Sequence, residues 1–262
     1  NEMSKVTNQK ASGRCWGFAG LNLMRLSLAK KYKLDNFEFS QNYFMFWDKF
    51  EKSNYFLENI IETFDKNYDS RLMMHLLKEP VQDGGQWDMF VNLIEKYGVM
   101  PKSAMPESFQ SSQSRMMNEF LTRKLREFAS ELRKMYTNSI SISELRKEKE
   151  SMLQTIYSML CVFLGNPPTK FDWEVRDKKK KFIRINSLDP LEFYKKHVKI
   201  KLKDKVCLIH APMSNKKMNE LYTVSYLGNV IDGEIIKYAN IDIQKIKNAT
   251  IKSLQNDEAV WF

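Results

Sequence analysis

The sequence has few of the residues from which specialised scaffolds are built. Its 262 residues include only 3 cysteines, 9 glycines and 7 prolines, which excludes the collagen-like, low-complexity and disulfide-rich classes. The odd cysteine number also favours a reducing compartment, and we expect a cytoplasmic protein. Because 43% of the residues are apolar and 13% are aromatic, the chain can bury a large core.

Long apolar runs are missing as well. None approaches the about 20 residues that a membrane helix needs, so we expect no membrane contact. The first residues are polar and do not resemble a secretory signal. The chain has no initiator methionine and ends on an apolar, strand-like run, residues 259–262. We therefore expect a piece of a longer polypeptide.

Positive charge is concentrated in one part of the sequence. The stretch from Lys170 to Lys205 holds 13 basic and 6 acidic residues, which supplies +7 of the net charge of +10. A local basic patch attracts phosphates and acidic surfaces in a salt-dependent way. A solvated lysine-rich face is the alternative interpretation.

Apolar periodicity predicts several helices in the first hundred residues. A largely buried helix is expected from Cys15 to about Tyr32, ending in lysines that suit the negative end of a helix. Ser40 is expected to cap a second, aromatic-rich helix. Shorter helices are predicted at Ser70–Leu77 and at Trp87–Tyr97, where a following glycine stops the second one.

The remaining chain divides into a helical part and a mixed part. Residues 112–164 have the pattern of two amphipathic helices, and Ser141 and Glu144 have the spacing of a capping box at the start of the second. Strands are predicted at residues 205–210 and 221–226. Residues 227–238 are predicted to form a hairpin that turns at Asp232-Gly233.

Cys15 is the cysteine whose setting favours reactivity. It follows a glycine-containing turn at the start of a predicted helix, where free N–H groups and the helix dipole can lower a thiol pKa into the range ~3.5–7.5. Arg14 adds a positive neighbour. The Gln9 amide, six residues upstream, can fold back and bind an oxyanion together with the Cys15 N–H, at about 3 kcal/mol per donor.

These residues carry a resemblance to a known family. Gln9 six positions before Cys15, followed by Trp16 and Phe18, resembles the signature of the papain-like cysteine peptidases. Collinear segments along the whole chain are similar to the bleomycin hydrolase (aminopeptidase C) branch of that family. These segments are residues 9–16, 37–41, 47–49, 83–89, 95–98, 164–168, 191–194 and 258–262.

The resemblance implies a role for individual residues. Cys15 matches the nucleophile, Gln9 the oxyanion-hole glutamine, and Gly84 and Gly85 the glycine pair whose backbone lines the substrate cleft. Glycine suits that place because a substrate strand can approach its backbone closely. Ser12 stands where secreted members carry a disulfide cysteine. No metal and no cofactor are expected.

The histidine and asparagine that the mechanism requires are not matched in this chain. In the family both lie further downstream, and we expect them beyond residue 262. Of the histidines present, His75 and His197 are interpreted as surface or packing residues. His210, at the end of a predicted strand, is the least implausible substitute.

The resemblance also implies a fold, which is an α+β papain-like fold. A helix-rich left lobe with the nucleophile helix is expected at residues 1–105, followed by an inserted, hook-like helical region at residues 106–170. A mixed α/β region at residues 171–262 then leads into a β-rich right lobe that is incomplete here. The inserted region is similar to the family's oligomerisation element.

The leading hypothesis is a cysteine aminopeptidase that acts through a Cys15 thioacyl intermediate. By resemblance it would act on peptides with a free N-terminus and form a homohexamer. A second hypothesis is a nucleic-acid-binding or assembly module on a peptidase frame, in which residues 170–205 matter more than hydrolysis. A third is that the chain as given is catalytically inactive.

Overall fold

A computed structural model describes residues 5–198 and 200–262, and it begins with four helices. They are α1 (Cys15–Tyr32), α2 (Gln41–Glu62), α3 (Arg71–Lys78) and α4 (Trp87–Tyr97). The side chains of Ser40 and Ser70 cap α2 and α3 by accepting backbone N–H bonds. Helix α4 ends at Gly98, which has a φ of 70°. The four helices predicted from periodicity are confirmed.

The helical pair after residue 106 is also confirmed. A single turn, α5 (Phe109–Ser112), precedes α6 (Arg115–Thr137) and α7 (Ile142–Leu164). Ser141 and Glu144 form the predicted capping box at the start of α7, because each side chain accepts a bond from the other's backbone N–H. The apolar stripes of α6 and α7 are buried in the core.

Helix α2 lies at the centre of the helical part and packs against α1, α4, α6 and α7. Its Glu58 is 5% exposed and accepts bonds from Arg146 and Lys149 of α7. Acidic and basic side chains on α2 are buried along with its apolar ones.

The strands form two small sheets. Strands β1 (Phe171–Arg176) and β2 (Phe182–Leu188) pair in antiparallel fashion. Strands β3 (Cys207–Ile209), β4 (Glu220–Tyr222) and β5 (Tyr238–Asn240) form a sheet in the order β3-β5-β4. Between the two sheets lie the short helix α8 (Pro190–Glu192), a π-helical turn (Phe193–Val198) and a 3-10 turn (Leu202–Asp204). Helix α9 (Ile243–Gln255) follows β5.

Two strand predictions in this part are wrong. No hairpin forms at residues 227–238, although Asp232 takes the positive φ of a turn at 60°. Strand β5 instead pairs with β3 in parallel and with β4 in antiparallel orientation. Residues 259–262 form no strand either. The α+β class is nevertheless confirmed, because helices and small sheets are both present.

Among the described residues, no helix is long and apolar enough to cross a membrane. The division at residues 105 and 170 stays a prediction. What matters for the site is that the central helix α2 and the N-terminal end of α1 share one core with α4.

Candidate active site

Cys15 is the first residue of α1, and its side chain is exposed and free of any disulfide. The Phe18 N–H bonds to the Arg14 carbonyl and so begins the helical hydrogen-bond ladder. The N–H groups of Cys15, Trp16 and Gly17 have no acceptor within the described chain. Unpaired N–H groups at a helix start attract negative charge, and here that helix start carries the exposed Cys15.

Gln9 begins the turn that leads to Cys15. The Ser12 hydroxyl donates to the Gln9 carbonyl at 2.7 Å, which closes the turn. The Gln9 side chain is partly buried, and its Oε1 atom has no partner among the described residues. The structure therefore fixes the backbone of Gln9 and leaves its carboxamide free of hydrogen bonds to described groups.

Arg14 does not supply a free positive charge beside the thiol, so this part of the sequence interpretation is corrected. Its guanidinium is 3% exposed and makes a two-pronged ion pair with Glu107, with distances of 3.1 and 2.7 Å. It also donates to the Ser12 hydroxyl at 2.9 Å. The pair neutralises the charge and anchors the nucleophile turn to the segment before α5.

Asp83 is the second anchor of this turn. Its carboxylate accepts the Gly13 N–H at 3.2 Å, the hydroxyl of Ser114 just before α6 at 2.7 Å and the amide of Asn118 in α6 at 2.8 Å. Lys49 of α2 donates to the same carboxylate at 2.5 Å. Burial alone would raise the pKa of Asp83, but the Lys49 charge and these hydrogen bonds outweigh it and hold the pKa well below its usual range.

Two buried lysines on α2 hold the segment around Asp83. Lys49 is 0% exposed and also donates to the Val81 carbonyl at 2.5 Å. Lys52 is 4% exposed and donates to Asp48 at 2.9 Å. Burial lowers the pKa of Lys52 to about 8 against the opposing pull of Asp48, and burial raises the pKa of Asp48.

Gly84 and Gly85 follow this segment and have different surroundings. A Cβ atom at Gly85 would lie 2.5 Å from the Trp16 ring, so only glycine fits against that tryptophan. A Cβ atom at Gly84 would meet nothing within 4 Å, so this residue borders open space. Trp16 follows Cys15 directly, and the glycine pair therefore lies beside the nucleophile helix.

The histidines lie in other surroundings. His197 bonds to the Tyr32 hydroxyl at 2.5 Å, and at ~1.5 Å per residue Tyr32 is about 25 Å along α1 from Cys15. His75 is exposed on α3. The His210 Nδ1 atom lies 3.0 Å from the Ile241 carbonyl. Within the described residues, no hydrogen bond joins any of them to Cys15.

The other two cysteines are less accessible. Cys161 and Cys207 are partly buried, and burial is the main cause that raises the pKa of each thiol. No cluster of three or more His, Cys, Asp or Glu side chains suited to a metal ion is found in residues 5–198 and 200–262. The site thus offers an exposed thiol, unpaired N–H donors and two glycines beside an opening.

A sequence comparison decides the family. The model of the peptidase C1-like family matches residues 1–262. This chain belongs to that family. The peptidase C1-like assignment confirms the resemblance found in the sequence.

Relatives and a solved structure agree with this peptidase C1-like assignment. The chain is 44% identical over 265 residues to bleomycin hydrolase of Mus musculus, covering 100% of this chain and 58% of the relative. It is 50% identical over 258 residues to aminopeptidase C of Listeria innocua, covering 98% and 58%. The chain therefore spans somewhat more than half the length of these relatives.

The crystal structure of PepW from Lactobacillus rhamnosis HN001 has the same fold. The TM-score is 0.95 at 49% identity, with 97% of this chain and 57% of PepW covered. The predicted papain-like α+β fold is confirmed by this similarity together with the match to the peptidase C1-like family.

Sequence reasoning missed the residues that hold this peptidase C1-like site in place. Asp83 stands directly before the glycine pair, and an acidic residue at a turn into a helix gives no sign that it binds a distant lysine. Lys49 and Lys52 are on α2, where lysines normally mark a solvated face. The signal that could have identified Lys49 and Lys52 is their spacing of three residues on one face of an aromatic-rich helix.

Proposed function

We propose that the full-length protein is a cysteine aminopeptidase of the bleomycin hydrolase type, with Cys15 as its nucleophile. The proposal is supported by relatives that are named bleomycin hydrolase and aminopeptidase C. The single observation that carries it is the position of Cys15, which is an exposed free thiol at a helix start with unpaired N–H groups. That arrangement favours a thiolate and a developing oxyanion at one place.

The reaction would proceed by acyl transfer to sulfur. The Cys15 thiolate attacks the carbonyl carbon of the peptide, and the oxyanion is bound by the Cys15 N–H and the Gln9 carboxamide. The C–N bond breaks, the leaving amine takes the proton that the histidine removed from the thiol, and a thioester remains. Water then attacks the thioester, releasing the acid and restoring the thiol. The histidine and asparagine are expected beyond residue 262.

The Gln9 assignment fits the chemistry of its side chain. A carboxamide offers two N–H donors, and the Gln9 Oε1 atom has no hydrogen-bond partner among the described residues. Gly84 and Gly85 are proposed to bind the peptide backbone, because the opening beside Gly84 leaves space for an extended chain.

Variants of the full-length protein in which one cysteine at a time is replaced by serine test the proposal. Cys15→Ser is expected to lower hydrolysis of an amino-acid anilide at least a thousandfold, since a serine hydroxyl is a much weaker nucleophile at neutral pH. Cys161→Ser and Cys207→Ser are the matched controls, and they are expected to keep activity within threefold. An active Cys15→Ser protein would refute the proposal, and so would an inactive wild type.

Selectivity for a free N-terminus is the finer part of the proposal. It is supported by the aminopeptidase name of the bacterial relatives alone. Comparing a peptide with its N-acetylated form tests it, with an expected preference of at least tenfold for the free amine. Equal rates would make the protein an endopeptidase and leave the Cys15 assignment intact.

A polyanion-binding property is a second candidate, carried by a different observation. Lys30 and Lys33 at the end of α1 meet Lys178 and Lys179 of the β1–β2 turn around a cavity of about 300 Å³. Part of the basic stretch is neutralised by ion pairs, such as Arg184 with Asp172. The names of the relatives favour hydrolysis as the main function.

Salt-dependent binding tests this second candidate. A fluorescent single-stranded oligonucleotide is expected to bind at low salt and to lose affinity steeply as salt rises, because released counterions dominate such binding. Replacing Lys178 and Lys179 by Gln should weaken binding and reduce the salt slope. Absence of binding at low salt would remove the candidate.

Assembly is proposed from resemblance alone, and location from resemblance together with the odd cysteine number. We expect a homohexamer in the cytoplasm. Sedimentation velocity of the full-length protein checks the first expectation, because a hexamer sediments far faster than a monomer. A monomer at micromolar concentration would contradict it without affecting the proposed chemistry.

A further inference from the structure

We propose that Lys52 is a positioning residue that sets the backbone of the Gly84–Gly85 substrate strand. The inference rests on the proposed function, because it assumes that a peptide binds beside these glycines. In a sheet, a neighbouring strand hydrogen-bonds to the backbone carbonyls of a segment. Here a buried lysine on α2 makes such bonds instead. Lys52 touches neither substrate nor the reacting atoms and acts through the main chain.

The segment before the glycines is held by side chains. Each backbone carbonyl from Val81 to Gly84 accepts a hydrogen bond from a buried residue. The donors are Lys49 to Val81 at 2.5 Å, Lys52 to Gln82 at 2.7 Å, Trp16 to Asp83 at 2.6 Å and Lys52 to Gly84 at 2.7 Å. No strand of a sheet includes these residues. Their conformation therefore depends on three side chains.

Lys52 carries the largest share of this support. Its ammonium group has three hydrogens and three acceptors, which are Asp48 and the carbonyls of Gln82 and Gly84. The group also lies 5.2 Å from the centre of the Trp16 ring. A compact ammonium can serve three convergent acceptors, whereas the planar fork of an arginine cannot.

Gly85 follows the supported segment, and its backbone is free to bind a peptide. Among the described residues, the backbone N–H and C=O of Gly85 have no hydrogen-bond partner. Unpaired backbone groups on an accessible segment pair readily with an extended peptide. The Gly85 N–H lies in the same peptide plane as the Gly84 carbonyl, which Lys52 holds. Moving that carbonyl would turn the N–H that is to receive substrate.

The role of Lys52 differs from that of Lys49. Lys49 neutralises Asp83, which holds the Gly13 N–H and so the nucleophile turn. Lys52 binds the carbonyls on either side of Asp83 and is paired with Asp48. Loss of Lys52 should therefore disturb the substrate strand more than the thiol.

Two thiol-modifying reagents distinguish a disturbed substrate strand from a disturbed Cys15 thiol. Iodoacetamide needs only an ionised, accessible Cys15, whereas a peptidyl epoxysuccinate also needs the substrate strand. In full-length Lys52→Met, we expect the rate constant for the peptidyl reagent to fall at least tenfold, and that for iodoacetamide to change less than threefold. Lys149→Met is the matched control, since it also removes a largely buried α2 ion pair and should keep the wild-type ratio.

Lys52→Arg keeps the charge and serves if Lys52→Met does not fold, which circular dichroism will show. It is expected to lower the peptidyl rate at least threefold with little change for iodoacetamide. A wild-type ratio of the two rates in a folded Lys52 variant overturns the inference, and so does an equal fall of both. If wild-type Cys15 reacts with neither reagent, the proposed function itself fails.

Discussion

The Asp83 carboxylate accepts the backbone N–H of Gly13 at 3.2 Å, which joins the segment before the glycine pair to the turn before Cys15. The two residues are 70 positions apart in the chain. A single carboxylate thereby fixes the distance between the proposed nucleophile and the proposed substrate strand.

Replacing Asp83 by Asn should be strongly destabilising. The change leaves the fully buried Lys49 without its counter-ion, and breaking a buried pair costs about 3–5 kcal/mol. Urea unfolding measures the free energy. Asp65→Asn is the control, because Asp65 pairs with Lys66 on the surface and its loss should change the free energy of unfolding far less. Similar losses in both variants would contradict the role of Asp83.

The Asp83 carboxylate should make the free energy of unfolding depend on pH. Its pKa is lowered in the folded state, so the unfolded chain binds more protons as the pH falls below about 4. The free energy of unfolding should therefore decrease with falling pH in that range. The difference in unfolding free energy between wild type and Asp83→Asn should become smaller. A difference that stays constant down to pH 2 would contradict the lowered pKa.

Glu107 should matter because it neutralises a buried guanidinium. Glu107→Gln leaves Arg14 charged and without its ion pair, and we expect the free energy of unfolding to fall by about 2–4 kcal/mol. Glu192→Gln, which breaks an exposed pair with Lys196, is the control and should change the free energy of unfolding far less. Unchanged stability in Glu107→Gln would show that Arg14 does not need its partner.

The two glycines should respond differently to alanine. A Cβ at residue 85 would overlap the Trp16 ring, so Gly85→Ala should lower the free energy of unfolding by about 1–3 kcal/mol. A Cβ at residue 84 meets open space, so Gly84→Ala should keep stability within about 1 kcal/mol while raising KM for peptides. Equal unfolding free energies for the two variants would contradict the packing of Gly85.

Local patterns predicted α1 to α4, α6 and α7, because their signals lie within the helices themselves, but α9 (Ile243–Gln255) was not predicted. Ser40, Ser141 and Gly98 start or stop helices through groups only a few residues away. The resemblance of the segment from Gln9 to Cys15 likewise identified the candidate nucleophile. These features needed no knowledge of distant contacts.

The failures came from long-range contacts. The residues near Asp232 bind α4 through side chains, with Asn229 donating to Met89 and Asn92 bonding to Glu234, and this replaces the predicted hairpin. The parallel pairing of Cys207 with Tyr238 joins residues 31 positions apart. The buried lysines of α2 escaped notice for the same reason, since the segment that covers them is distant in sequence.

Mapping of the reactive thiol tests the central claim most directly. The full-length protein would be treated with one equivalent of an epoxysuccinyl peptide and digested, and the modified cysteine would be identified by mass spectrometry. We expect modification of Cys15 with loss of peptide hydrolysis, while Cys161 and Cys207 stay unmodified. Loss of hydrolysis with Cys161 or Cys207 modified and Cys15 untouched would contradict it.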